Sequence, residues 1–269
     1  MGSKISAALK LIRDGEFRVL AALWMRWTGL CRYCRIQRRG VVLHYDGSAM
    51  GLILWVNPEA RREDEDFLEA YLRPGDLVID AGANIGSLAL LAARIVGPGG
   101  HVTAFEPHPR IFGFLLGNIK LNGFGWIEAR QMALGREAGE ARMTDSLYDD
   151  QNRISADGSV LVPSARLDAV IDGTEPIALL KVDVEGLEWD VLRGAEGLLG
   201  RVEGIYFEVS ERHFAHYGYT VAELLGWLAV RGFELRRWSE GTGNGTENWL
   251  ALRPAGKARL ASFGPGPGQ

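Results

Sequence analysis

Cysteine is scarce: the 269-residue chain holds two, Cys31 and Cys34. Two thiols cannot staple a chain this long, and one Cys-x-x-Cys with no second Cys or His pair nearby is half of a zinc site. Both are read as reduced, structural or incidental thiols, which suits a reducing compartment and makes a cytoplasmic location the default. An apolar run long enough to span a bilayer is also missing, as are the h-region and small-residue cleavage site of a signal peptide. Charge of one sign is not in excess: a net charge of −4 gives no global case for a nucleic-acid partner. No internal repeat is found. With 47% hydrophobic and 24% charged residues the composition is ordinary for a globular protein, which excludes a disordered or fibrous chain.

Residues 5–39 carry helical periodicity, with Leu20, Leu23, Trp24 and Trp27 on one stripe. Between Phe17 and Tyr45 stand six arginines (Arg18, Arg26, Arg32, Arg35, Arg38, Arg39) and no acid. Arg18, Arg26 and Arg32 fall opposite the stripe at 100° per residue, so this is a basic amphipathic helix. The expected arrangement packs the stripe, Trp24 and Trp27 included, on the core and leaves the arginine face in solvent. The other reading is peripheral contact with a membrane or with an anionic acceptor. Val41–Tyr45 and Leu52–Val56 flank Asp46-Gly47-Ser48 and are expected to pair as a hairpin. An acidic helix is expected over Glu59–Leu72.

A different rhythm follows. Strands are predicted at Leu77–Asp80, His101–Glu106, Trp126–Gln131, Ile177–Asp183 and Gly204–Val209. They alternate with helices at Ile85–Val96, Pro109–Leu121, Glu188–Leu199 and Val221–Arg231, and strands Phe233–Trp238 and Trp249–Leu252 close the fold. Such alternation means βαβ units and an α/β fold with a mostly parallel sheet. The polar stretch Gly135–Ser164 reads as short strands and a mobile loop, and the tail from Pro254, with its Gly-Pro-Gly-Pro-Gly, as disordered.

Chemistry concentrates at predicted strand ends. Leu77–Gly86 is an apolar strand ending in Asp80, followed by Gly82 and Gly86, which permit a tight turn and close approach of a ligand. The Gly-x-x-x-Gly spacing departs from the dinucleotide fingerprint, so pyrophosphate is disfavoured. Glu106 ends the next strand 20 residues after Gly86, where an acid can accept both hydroxyls of a ribose. Leu179–Glu188 delivers Lys181, Asp183, Glu185 and Glu188 to the same edge, and Glu208 ends the strand after it. Lys181 has two readings, a site residue or a partner that neutralises Asp183. His213 and His216, after that strand, are further base candidates, or surface histidines on a lid.

In these residues the sequence resembles the FkbM-type S-adenosylmethionine-dependent methyltransferases. The matching features are Pro74-Gly75-Asp76, Asp80–Gly86, Phe105-Glu106-Pro107, Asn118, Asn122-Gly123, Ala133-Leu134-Gly135, Leu167-Asp168, Lys181–Glu188 and Glu208, in order over about residues 60–252. The resemblance implies a Rossmann-like class I methyltransferase fold: a seven-stranded mostly parallel sheet with helices on both faces, here preceded by an N-terminal helical and hairpin extension. It implies that Asp80 and the turn Gly82, Ala83, Asn84, Ile85 and Gly86 cradle the methionine part of S-adenosylmethionine. Glu106 and Pro107 would hold its ribose, Ala133 would lie near the adenine, and Asp183 would touch both cofactor and acceptor.

The expected activity is O-methylation of a sugar, glycolipid or polyketide hydroxyl. Such a hydroxyl is a poor nucleophile, so either a general base takes its proton or a divalent cation such as Mg2+ lowers its pKa. Asp183, Glu185, Glu208, Lys181 and His213 are the catalytic candidates, and Asp183 with Glu208 the candidate metal pair. The alternatives are N-methylation, including of a nucleic-acid base, and nucleoside binding without catalysis. Residues 1–58 are expected to cap the acceptor pocket, 59–253 to form the methyltransferase domain and 254–269 the tail.

Overall fold

The computed structural model describes residues 17–45, 47–146, 152–239 and 245–260. Asp46, the expected helix before Phe17, the centre of the expected mobile loop (147–151) and the end of the tail (261–269) lie outside them. The N-terminal part holds α1 (Phe17–Thr28), a 3-10 turn (Leu30–Tyr33), β1 (Arg35–Arg38), β2 (Val41–His44) and α2 (Ala49–Val56). The core begins with α3 (Arg62–Tyr71), β3 (Leu77–Ala81), α4 (Ser87–Val96), β4 (His101–Phe105), α5 (Pro109–Asn122) and β5 (Ile127–Arg130). Next come β6 (Ala133–Leu134), β7 (Gly139–Met143), β8 (Val160–Ala165), α6 (Leu167–Val170), β9 (Ile177–Val182) and α7 (Glu188–Gly194). The chain continues through β10 (Val202–Ser210), α8 (Glu211–Tyr217), α9 (Val221–Val230), β11 (Glu234–Ser239), β12 (Thr246–Leu252) and α10 (Pro254–Leu260).

Seven strands form one sheet in the order β11-β12-β10-β9-β3-β4-β5. The pairs from β10 to β5 are parallel, and β12 is antiparallel to both β10 and β11. Every residue of β9 is buried, as a central parallel strand covered on both faces must be. Alternate residues divide between two cores. Val78, Ala104, Leu179 and Tyr206 pack with Phe67 of α3, Leu88 of α4 and Leu115 of α5. Ile79, Phe105, Leu180 and Phe207 pack with Leu167, Val191, Phe214 and Leu224 on the opposite face. The strand order reverses between β3 and β9, and the crevice beyond the carboxyl ends of such a switch point is where open α/β sheets take ligands.

Several expectations fail in the first 60 residues. The helix is not continuous over 5–39: α1 stops at Thr28, Gly29 turns left-handed at φ 72°, and by Arg35 the chain is a strand. The hairpin is β1–β2, joined through Arg39 and Gly40 at φ 46° and 78°, the positive pair a tight hairpin turn needs. Leu52–Val56 is helical, because Ser48 caps α2 by accepting from the Gly51 N–H at 2.9 Å; the Asp-Gly-Ser signal marks a helix start. Trp24 and Trp27 are not core residues: they are 55% and 84% exposed, and the buried residue of α1 is Ala22.

The segment after the sheet is also ordered up to Leu260. Arg259 of α10 bonds Asp76 and Glu203, each at 2.7 Å, and Gly256 lies so close to the Glu203 carbonyl that a Cβ there would stand 2.3 Å from it. Composition argued for disorder from Pro254, but these anchors offset the ordering entropy of its first seven residues. Cys31 and Cys34 are free thiols. No helix among the described residues is long and apolar enough to cross a membrane.

Candidate active site

The switch point gathers the charged residues. Asp80 and Lys181 are register partners on β3 and β9, and Lys181 Nζ lies 2.9 Å from Asp80 Oδ1 with both side chains buried. The same ammonium donates to the Gly82 carbonyl at 3.2 Å and stands 3.6 Å from Asp183 Oδ2. Burial disfavours its charge, but Asp80 and Asp183 outweigh that and raise the Lys181 pKa. Lys181 is thus the partner of both acids, and its neutralising role and its place in the site are one arrangement.

Arg61, just ahead of α3, supplies a second cation. Its Nη2 donates to Asp183 Oδ2 at 2.9 Å and its Nε lies 3.3 Å from Asp64 Oδ2. Tyr206 on β10 donates to the other oxygen of Asp64. Burial alone would raise the Asp183 pKa; Lys181 and then Arg61 override it and hold Asp183 ionised. Glu208 shares one small cleft with Arg61, Asp64, Lys181, Asp183 and Tyr206. Burial first, then the charge of Asp183, push the Glu208 carboxyl up to about 8.

Glu106 forms a second centre beside the first. One carboxylate oxygen accepts from the Asn84 N–H at 3.0 Å and the other from the His108 N–H at 2.9 Å, while burial lifts the group to about 7. Each oxygen keeps a lone pair. The turn it holds is forced by packing: a Cβ on Gly82, at φ 82°, would stand 1.8 Å from the Asp183 carbonyl oxygen. Approach of the β9 loop thus by itself requires a glycine at this position, alongside the close approach of a ligand that the sequence suggests. Pro107 follows Glu106, and Ile85 is buried with its carbonyl accepting from Asn118 at 2.8 Å. Among the described residues four non-glycines have positive φ, and three of them, Arg61, Asn84 and Glu185, lie at this site. Such strain concentrates where the surroundings fix a functional geometry.

Other expected residues take different places. Glu188 folds back to accept from the Val184 and Gly186 N–H groups at 3.0 and 3.2 Å, so it clasps its own loop. His213 Nδ1 is 3.8 Å from Glu185 Oε2, and burial, then Arg212, lower its pKa; this pair flanks the cleft and does not line it. His216 packs edge-on against Tyr217. Ala133 is buried in the separate β6-β8-β7 sheet with Met143 and Val162. Asn118 and Asn122 bond His44 and Val42 of β2, which makes them the clasp between α5 and the N-terminal hairpin. No group of three or more His, Cys, Asp or Glu among the described residues is placed to hold a metal ion, and Asp183 already faces two cations. With Asp183 taken up by Lys181 and Arg61, the Asp183–Glu208 pair does not fit a divalent cation.

A family model, the methyltransferase FkbM domain, matches residues 80–235, from the aspartate of the β3 turn into β11. The chain belongs to the FkbM family. Among its relatives, "Methyltransferase 1" of Beauveria bassiana is 30% identical over 179 residues, which cover 53% of this chain and 72% of that protein. The "31-O-demethyl-FK506 methyltransferase FkbM" of Streptomyces tacrolimicus is 44% identical over 85 residues, 31% of each chain. A solved structure of a proposed rRNA methylase from Clostridium thermocellum superposes with a TM-score of 0.51 at 12% identity, over 71% of this chain and 93% of that one. The shared architecture is the class I methyltransferase fold.

Sequence reasoning missed Arg61 and Asp64, which precede the FkbM-matched residues, and Tyr206 within them. Tyr206 was legible: it lies two residues before Glu208 on one strand and so shares its face. Arg61 and Asp64 precede and open an acidic helix whose docking on that face no local pattern announces.

Proposed function

We propose that this protein transfers a methyl group from S-adenosylmethionine to a hydroxyl of a sugar, glycolipid or polyketide-type acceptor. The observation that carries the reading is Glu208: a carboxyl raised to about 8, in a cleft beside a carboxylate that two cations hold ionised. A part-buried carboxyl poised near working pH has the character of a general base. Asp183 has the opposite character, since its negative charge is neutralised by Lys181 and Arg61. In this reading Glu208 takes the acceptor's hydroxyl proton, and Asp183 with its cations fixes the orientation of the acceptor oxygen.

Glu106 fits a ribose: it is buried, oriented by two backbone donors, and its remaining lone pairs match two hydroxyl donors. When bound, S-adenosylmethionine supplies the electrophilic methyl on a sulfonium. The family relative named for a 31-O-demethyl substrate supports a hydroxyl acceptor. The N-terminal hairpin, clasped by Asn118 and Asn122, is suited to cap the acceptor side.

The test is release of S-adenosylhomocysteine by the full chain, with panels of glycans, polyketide alcohols and amines and with products identified by mass spectrometry. O-methylated products are expected. Turnover only on amines overturns the acceptor class, and failure to bind S-adenosylmethionine overturns the whole reading.

A further inference from the structure

Helix α1 sits on the protein the opposite way round from what its pattern predicts. Its contact face centres on Ala22, with Met25 beside it. The face turned outward carries Phe17, Leu23, Trp24 and Trp27, and the turn that follows adds Leu30 and Tyr33. Phe17 and Tyr33 are each 70% exposed, and Trp27 is 84% exposed. Arg32 and Arg35 flank this face and are exposed, and Arg32 stands 4.9 Å over the Tyr33 ring, whereas Arg18 falls on the opposite side of α1, toward the groove lined by Trp55. No acid occurs from Phe17 to Tyr45, but Arg38 and Arg39 are taken up by Glu65, Asp66 and Glu69 of α3, so the positive charge beside the aromatic face rests on Arg32 and Arg35.

We propose that α1 and the turn after it dock this protein on an anionic lipid bilayer, with the aromatic face in the headgroup and acyl boundary and the arginines on the phosphates. Tryptophan, tyrosine and phenylalanine beside arginine are the side chains suited to that boundary, where the rings leave water and the guanidiniums stay wet. The charge pattern selects this occupant over a second copy. In a two-fold interface the patch meets itself, and each copy would bring its arginines against those of the other. An anionic surface is instead complementary to them.

The experiment is co-sedimentation of the full chain with vesicles of phosphatidylcholine alone or mixed with phosphatidylglycerol, across a salt series, with tryptophan fluorescence read in parallel. The expected result is binding to the anionic vesicles with a blue shift, weakened by salt over the range where the Debye length shortens. Trp24→Ser with Trp27→Ser, at exposed positions that leave the fold intact by circular dichroism, should lower partitioning about tenfold or more. Arg32→Gln with Arg35→Gln should erase the preference for anionic vesicles. No binding of the wild-type chain at low salt overturns the proposal, and so does binding that the tryptophan pair leaves unchanged. Sedimentation that shows self-association abolished by that pair assigns the face to a second copy and equally overturns it.

Discussion

The sheet edge and helix α1 invert the usual distribution of side chains in opposite directions. At the edge, Asp80, Lys181 and Glu106 are charge-bearing groups taken out of water; on α1, Trp24 and Trp27 are apolar groups left in it. The edge manages its cost by pairing: one ammonium serves two aspartates, Arg61 joins Asp183 to Asp64, and Glu106 accepts from two backbone groups. The helix has no such compensation within the described chain. Packing alone favours neither arrangement. Proton and methyl chemistry, as proposed, accounts for the buried charges of the edge, and contact with a surface accounts for the exposed rings of α1.

If the edge is as tightly built as its pairing suggests, its largest response comes from Gly82. Gly82→Ala forces a Cβ against the Asp183 carbonyl at 1.8 Å, and a loss of about 3 kcal/mol in denaturant unfolding is expected. Wild-type stability in that variant would mean the turn and the β9 loop are not docked together. Glu208→Gln, nearly isosteric, should lower kcat about 100-fold and remove an ascending limb of the pH profile near 8. The linkage has a definite sign. A carboxyl raised from about 4.5 to about 8 on folding binds more protons folded than unfolded, so its contribution favours the fold at low pH and is lost as pH rises over that window. The unfolding free energy of the Gln variant relative to wild type should therefore increase with pH, and a constant difference from pH 5 to 8 would contradict the raised carboxyl of Glu208.

Asn118→Ala should cost about 2 kcal/mol, because it leaves the His44 N–H and the Ile85 carbonyl without their buried partner. Hydrogen exchange should then show the hairpin opening ahead of the core. Glu106, at about 7, makes a smaller and graded prediction: calorimetry should find S-adenosylmethionine binding weakening as pH falls below 7, by at most about tenfold per unit, with Glu106→Gln weaker but flat. A parallel pH dependence in the Gln variant would remove Glu106 from the cofactor site. The smallest effect belongs to α1. Trp27→Ser should change stability by no more than about 0.5 kcal/mol, whereas a packed tryptophan would cost about 3. Urea melts decide, and a large loss would return the stripe to the core.

The chain's pattern alone determined the sheet. Short β-branched runs alternating with helical periods fixed the parallel order of elements, and acids closing those runs were bound to meet at one edge, since side chains at strand ends have nowhere else to converge. Asp80, Lys181, Asp183, Glu106 and Glu208 were legible for that reason. Three things only the tertiary structure decided. An amphipathic period gives the phase of a helix but not which side faces the protein, so the outward turn of α1 follows from how Ala22 and Met25 seat it. A Gly-Ser pair is compatible with a turn or a cap, and the hydrogen bond between Ser48 and Gly51 selected the cap. Arg61 is 122 residues from Asp183 in sequence, and no local pattern encodes a charge pair that exists only because α3 packs along the sheet with its N-terminal end beside the carboxyl end of β9 and its Tyr71 at the start of that strand.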